Sequence, residues 1–120
     1  MNLSEENGKG ERVAVSRDVL AGLAWQAASE VEGVVGSQQP AMESITSRVK
    51  REFMQRGVRI SEEKDGSLVI DLHLRVRYGS RLPDLSQAVK KKVRDFLGAM
   101  ADTQVLRVEV TIEDIEFPET

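Results

Sequence analysis

Residues 68–78 read Leu-Val-Ile-Asp-Leu-His-Leu-Arg-Val-Arg-Tyr. Successive side chains of an extended strand point to opposite faces, so Leu68, Ile70, Leu72, Leu74, Val76 and Tyr78 fall on one side. Val69, Asp71, His73, Arg75 and Arg77 fall on the other. One face is apolar and the other mostly polar, so helices are expected to cover this sheet on one side only. On that reading Leu72→Ala is expected to cost roughly 2–5 kcal/mol by opening a core cavity. His73→Ala on the polar face is expected to stay within about 0.5 kcal/mol.

The flanking segments extend the pattern. Upstream, Val58 and Ile60 alternate with Arg59 and Ser61, and Lys64-Asp65-Gly66 supplies a hairpin turn, because Asp-Gly tolerates positive φ. Downstream, Gly79 ends the strand and Pro83 can open a helix, where its missing N–H costs nothing. Leu85, Val89, Val93, Phe96 and Met100 form the expected buried stripe of that helix. A last strand is expected over Val105 to Glu113, with Leu106, Val108, Val110 and Ile112 facing the core. The intervening helix acts as a crossover, so this strand is expected parallel to 68–78 with a right-handed connection.

Toward the N-terminus, Met1 to Gly10 is polar and reads as a flexible lead. Val13 to Val15 gives a short strand signal, and Ser16 is suited to cap a helix over Arg17 to Val31. Leu20, Leu23, Ala24, Ala27 and Val31 share one face of that helix, with Trp25 roughly opposite. Gly33 and Gly36 read as a stop and a loop. A second helix is expected over Ala41 to Gln55, with Met42, Ile45, Val49 and Phe53 as its stripe. The order is β-α-α-β-β-α-β, an α/β fold of the α+β type: a small mixed sheet with helices packed on one face. Residues 12–117 form one domain between a lead over 1–11 and a tail over 118–120.

Composition narrows the function. The 120 residues are 40% hydrophobic and 31% charged, which suits one globular domain. No cysteine is present, which excludes disulfides, thiolate metal sites and a cysteine nucleophile. Nowhere do about 18 apolar residues run together, and the polar start lacks the apolar core of a signal peptide. A cytoplasmic setting is expected, with any membrane association arising through a partner. The net charge of −3 does not suggest a nucleic-acid binder.

Four separated pieces carry a family resemblance. They are Val13-Ala14-Val15-Ser16 followed by Ala27 to Gly36, Gly57-Val58-Arg59-Ile60, Val69 to Leu74 with Val76 to Gly79, and Val105 to Phe117. In this order and spacing they resemble the bacterial alkaline-shock protein family, linked to cell-envelope stress. The resemblance covers about Arg12 to Phe117. Ala101-Asp102-Thr103-Gln104 departs from the Thr-Gly-Leu that the family often carries after its last helix. The resemblance implies a bacterial cytosolic protein that acts through partners. A membrane anchor protein or a fatty-acid synthesis enzyme of the acetyl-CoA carboxylase type are the partners it suggests. It brings no catalytic residue with it.

The residues themselves offer little chemistry. His73 is the sole histidine and shares a face with Asp71, but no nucleophile is placed beside it. Gly33-Val34-Val35-Gly36 lacks phosphate-loop spacing. No cofactor or metal is expected. Arg59, His73, Arg75, Arg77 and Arg107 gather on the polar sheet face, which could meet another protein, a second copy of the chain or a nucleic acid, or could simply be solvated. Exposed aromatics for base stacking are missing from that face, which counts against RNA. Trp25 is the remaining candidate, since tryptophan is enriched in binding hot spots. The expected function is a non-enzymatic protein-interaction module, with a nucleic-acid-binding regulator as the alternative.

Overall fold

The computed structural model describes residues 15–38, 52–55, 57–101 and 104–119. Helix α1 spans Arg17–Ser29, and Ser16 caps it by accepting from the Val19 N–H at 3.2 Å. Strands β1 (Val34–Ser37), β2 (Glu52–Gln55), β3 (Val58–Glu62) and β4 (Leu68–Arg77) follow. Helix α2 (Leu82–Ala101) then leads to β5 (Val105–Glu116). The fold is the mixed sheet with helices on one face that the alternation implies.

The hairpin between β3 and β4 follows its local chemistry. The Gly66 N–H donates to Glu63 O at 2.9 Å, and Gly66 adopts φ 90°. The Asp65 carboxylate accepts from both the main-chain N–H and the hydroxyl of Ser67, closing the turn. Those bonds to Ser67 hold the Asp65 carboxyl below its ordinary pKa.

Strand β4 is the centre of the sheet. Along one edge it pairs in parallel with β5 over its whole length, from Leu68 opposite Val105 to Arg77 opposite Glu116. The other edge is shared. The antiparallel β3 covers Leu68 to Leu72, and the antiparallel β1 covers Leu74 to Val76. The two short strands meet at His73. Its N–H donates to Gly57 O at 2.8 Å, and its carbonyl accepts from the Gln38 N–H at 3.0 Å. A strand residue directs both main-chain groups to the same edge, so β1 and β3 lie end to end there. Beyond β3, β2 forms the outer strand.

Three local expectations change. Val34–Ser37 is strand rather than loop, because it completes the otherwise open second half of the β4 edge. Glu52–Gln55 is strand β2, with Phe53 opposite Ile60, where a helix is expected from sequence. The rest of that helix, 41–51, lies outside the described residues, as do Val13 and Ala14. Val15 itself precedes α1 outside any strand.

The core lies between the sheet and the two helices. Leu68, Ile70, Leu72, Leu74 and Val76 of β4 meet Val58 and Ile60 of β3 and Val108 of β5. From α1 come Leu20 and the alanines Ala21, Ala24, Ala27 and Ala28, the latter small enough to let the helix approach closely. On α2 the buried set is Leu85, Val89, Val93, Leu97 and Ala101. The expected Phe96 is only half-buried and Met100 is exposed, because four-residue steps drift by about 40° each around the helix. The stripe therefore turns as α2 passes from α1 to β5. On the outer edge of the core, Arg17 of α1 is ion-paired with Glu62 of β3.

The meeting point of β1 and β3 constrains Gly57. It adopts φ 77°, and a Cβ there would stand 3.0 Å from both Gln38 N and His73 O and 3.1 Å from Ser37 Cβ. Two of those neighbours are backbone and cannot swing away. Gly57→Ala is expected to destabilise by roughly 1–3 kcal/mol. Gly98→Ala, on the exposed side of α2 with nothing within 4 Å, should instead stabilise by about 0.5–1 kcal/mol. Urea denaturation of both variants reads the difference; equal effects of one sign would contradict the end-to-end junction.

Candidate functional site

The polar sheet face is built by β4, β3 and β5 in register. Arg59 stands opposite Asp71, and Asp71, His73, Arg75 and Arg77 stand opposite Glu109, Thr111, Asp114 and Glu116. The β5 register slips between Ile112 and Asp114, leaving Glu113 as a bulge residue. A bulge places two consecutive residues on one face. Glu113 thereby reaches His73 while Asp114 reaches Arg75 at 3.4 Å.

His73 is buried, at 7% exposure, which corrects the expectation of a surface histidine. Its Nδ1 donates to Glu113 Oε2 at 2.7 Å, since a carboxylate can only accept. Its Nε2 lies 3.5 Å from Asp71 Oδ2, close enough for charge interaction but without a formed hydrogen bond. Burial raises the Asp71 pKa; His73 and Arg59 oppose that rise, and Glu109 adds to it. Val69 is buried on this same face.

The arginines are largely answered in place. Arg107 Nε bonds Glu109 at 2.8 Å, Arg75 is paired with Asp114, and Arg59 lies in the field of Asp71. The face thus alternates bases with Asp71, Glu109, Glu113, Asp114 and Glu116 rather than presenting a positive stripe. That balance gives a phosphate backbone little to bind. Among the described residues, no three His, Asp or Glu side chains are placed to hold a metal ion.

Trp25 does not join this face. It is half-buried against the core on α1, on the helical side of the sheet, with the sheet between it and Arg75 and Arg77. It borders the buried alanine stripe rather than lying opposite it.

A different surface emerges where β4 and β5 end. The Tyr78 N–H donates to Glu116 O at 2.9 Å, and the Arg77 N–H donates to Gly33 O at 2.8 Å. Gly79, at φ 97°, turns the chain toward α2. Gly33, at φ 102°, packs where a Cβ would stand 2.8 Å from Leu85 Cδ1 and Ser80 Oγ. The turns at 31–33 and 78–80 and the first turn of α2 enclose an open hollow of about 580 Å³. Beside it Tyr78 and Phe117 stack with ring centroids 5.1 Å apart, yet remain 58% and 64% exposed. Sequence alternation places Tyr78 in the core, but the strand stops at Arg77, so the next residue is no longer held to that face.

The described residues form a small α+β domain, a mixed sheet with helices packed on one face. The model of a protein family described by its cell envelope-related function matches residues 5–117, and the chain belongs to this alkaline-shock family. Similar curated proteins include the Streptococcus pyogenes protein Spy1535, 26% identical over 90% of this chain and 81% of that protein. The Bacillus subtilis proteins YloU and YqhY are each 24% identical, over 87% and 98% of this chain and 88% and 86% of their own lengths. No solved structure matches. No helix among the described residues is long and apolar enough to cross a membrane.

Two stability outcomes follow from the His73 cluster. His73→Ala should cost about 1–3 kcal/mol, because it removes a buried hydrogen-bonded ring from between two carboxylates. Asp71 has its folded pKa raised, so its contribution is present below its unfolded pKa and is lost as pH rises through the folded value. Asp71→Asn should therefore be more stable than wild type at pH 7, with the gain shrinking as pH falls toward the ordinary carboxylate range. Denaturant titrations across pH check this; a loss at pH 7 that grows with pH would mean that pairing with Arg59 and His73 outweighs burial.

Proposed function

We propose that the chain is a non-enzymatic protein-interaction module of the bacterial envelope and alkaline-stress type. It works from the cytoplasm by binding protein partners or further copies of itself. The observation that carries this reading is the exposed Tyr78–Phe117 pair. Burying two large aromatic side chains is a strong source of association free energy. The segments that frame the pair, Val31-Glu32-Gly33 and Tyr78-Gly79, are among those that carry the family resemblance. A membrane anchor protein and an enzyme of fatty-acid synthesis are the partners this resemblance suggests first. The polar sheet face, where Arg75 and Arg107 are paired with β5 carboxylates and Arg59 lies beside Asp71, supports the sheet more than it supports a ligand.

The test uses the full chain and two variants, Tyr78→Ser and Phe117→Ser, each first shown to melt like wild type. Affinity capture from the parent cells and light scattering of the purified chain read partners and mass. A hot-spot residue is worth about 2 kcal/mol or more, so each variant should weaken its partner about 30-fold. Retention of the full partner set and mass by both folded variants would refute an interaction role for this end of the sheet.

A further inference from the structure

We infer that the Tyr78–Phe117 end of the sheet receives a short extended segment of a partner protein, in which a large apolar side chain is flanked by lysine or arginine; this rests on the interaction reading above. Two hollows adjoin there and share Arg77 and Tyr78. The first has Val31 and Leu85 as apolar lining, and the second, of about 470 Å³, has Phe117 and Pro118. The two hollows meet at Tyr78, which has Val31 and Leu85 on one side and Phe117 and Pro118 on the other.

The charges beside the two hollows favour a basic ligand. The lining holds four carboxylates, Glu32, Asp84, Glu116 and Glu119, against two guanidinium groups, Arg77 and Arg81. Arg81 is already turned to Asp84, with Nε 3.0 Å from Oδ2. An excess of carboxylate repels phosphates and anionic headgroups and attracts ammonium and guanidinium groups, setting approach and partner choice.

The shape favours a peptide over a small molecule. Small-molecule sites enclose most of their ligand's surface, whereas both hollows here are open to solvent along one side. An extended segment has like-facing side chains about 6.5–7 Å apart. One apolar side chain can therefore rest on the aromatic pair while neighbouring cations reach Glu116 or Glu119 on one side and Glu32 on the other.

Selection of a displayed random-peptide library on the immobilised full chain tests this. Enriched peptides should set Phe, Tyr, Trp or Leu beside Lys or Arg. A synthetic representative should bind at least about 10-fold more weakly to Phe117→Ser and should weaken as salt rises. The double variant Glu116→Lys with Glu119→Lys should select acidic flanks instead. Circular-dichroism melts confirm that each variant is folded. The inference is overturned by the absence of a consensus, by an acidic consensus on the wild type, or by undiminished binding to Phe117→Ser. It is equally overturned if Phe117→Ser abolishes sedimentation with phosphatidylglycerol vesicles, or dimerisation of the chain alone, while leaving peptide binding intact. The broader interaction reading survives any of these results so long as partner capture still depends on Tyr78 and Phe117.

Discussion

Strand β4 is hydrogen-bonded along both edges, and one of those edges is divided between two strands that meet at His73. The His73 main chain satisfies its donor on Gly57 and its acceptor on Gln38, so one residue joins β3 and β1 to the centre. Neither strand is long: β1 has four residues and β3 has five. Strands this short are not stable alone and depend on the ten-residue strand they share. The side chain of the same residue reaches the opposite edge through Glu113 on β5. Losing this junction would strand buried main-chain groups, which is more costly than losing an exposed contact.

The aromatic end of the sheet follows from the same arrangement. Parallel pairing of β4 with β5 requires a crossover, and α2 provides it while covering the apolar face. β5 spans twelve residues, and Phe117 follows it directly alongside Tyr78. On the other side, β1 begins just after Gly33, whose carbonyl holds the Arg77 N–H. Three segments remote in sequence therefore converge beyond the last paired residues. The exposed rings directly follow the last residues of β4 and β5, and the Tyr78 N–H still bonds Glu116 O.

Much of this was legible in the residues. The alternation of Leu68 to Val76, the Asp65-Gly66 turn, the Ser16 cap and the parallel closing strand all arise from local chemistry. Strand β1 does not. Val34-Val35 between two glycines has no alternation to distinguish it from a loop, and it pairs only because β3 stops short on the β4 edge. Phe53 fits a helical stripe by spacing and a strand by its pairing with Ile60, and only the pairing decides. The burial of His73 depends on the Glu113 bulge. Its one sequence trace is a break in period: apolar residues at 108, 110 and 112 are followed by Ile115 after two acids. Counting alternation one residue past the strand end hid Tyr78, and the Asp114 carboxylate that answers Arg75 could be placed only once the parallel register was known.

Amide hydrogen exchange, resolved along the chain, tests the central place of β4 most directly. The Leu68–Arg77 amides should be among the last to exchange, and His73 should be protected together with its neighbours on both sides although two different strands meet there. Exchange of the Leu74–Arg77 amides as fast as those of the outer strand β2, with only the Leu68–Leu72 half protected, would contradict a central strand held along both edges.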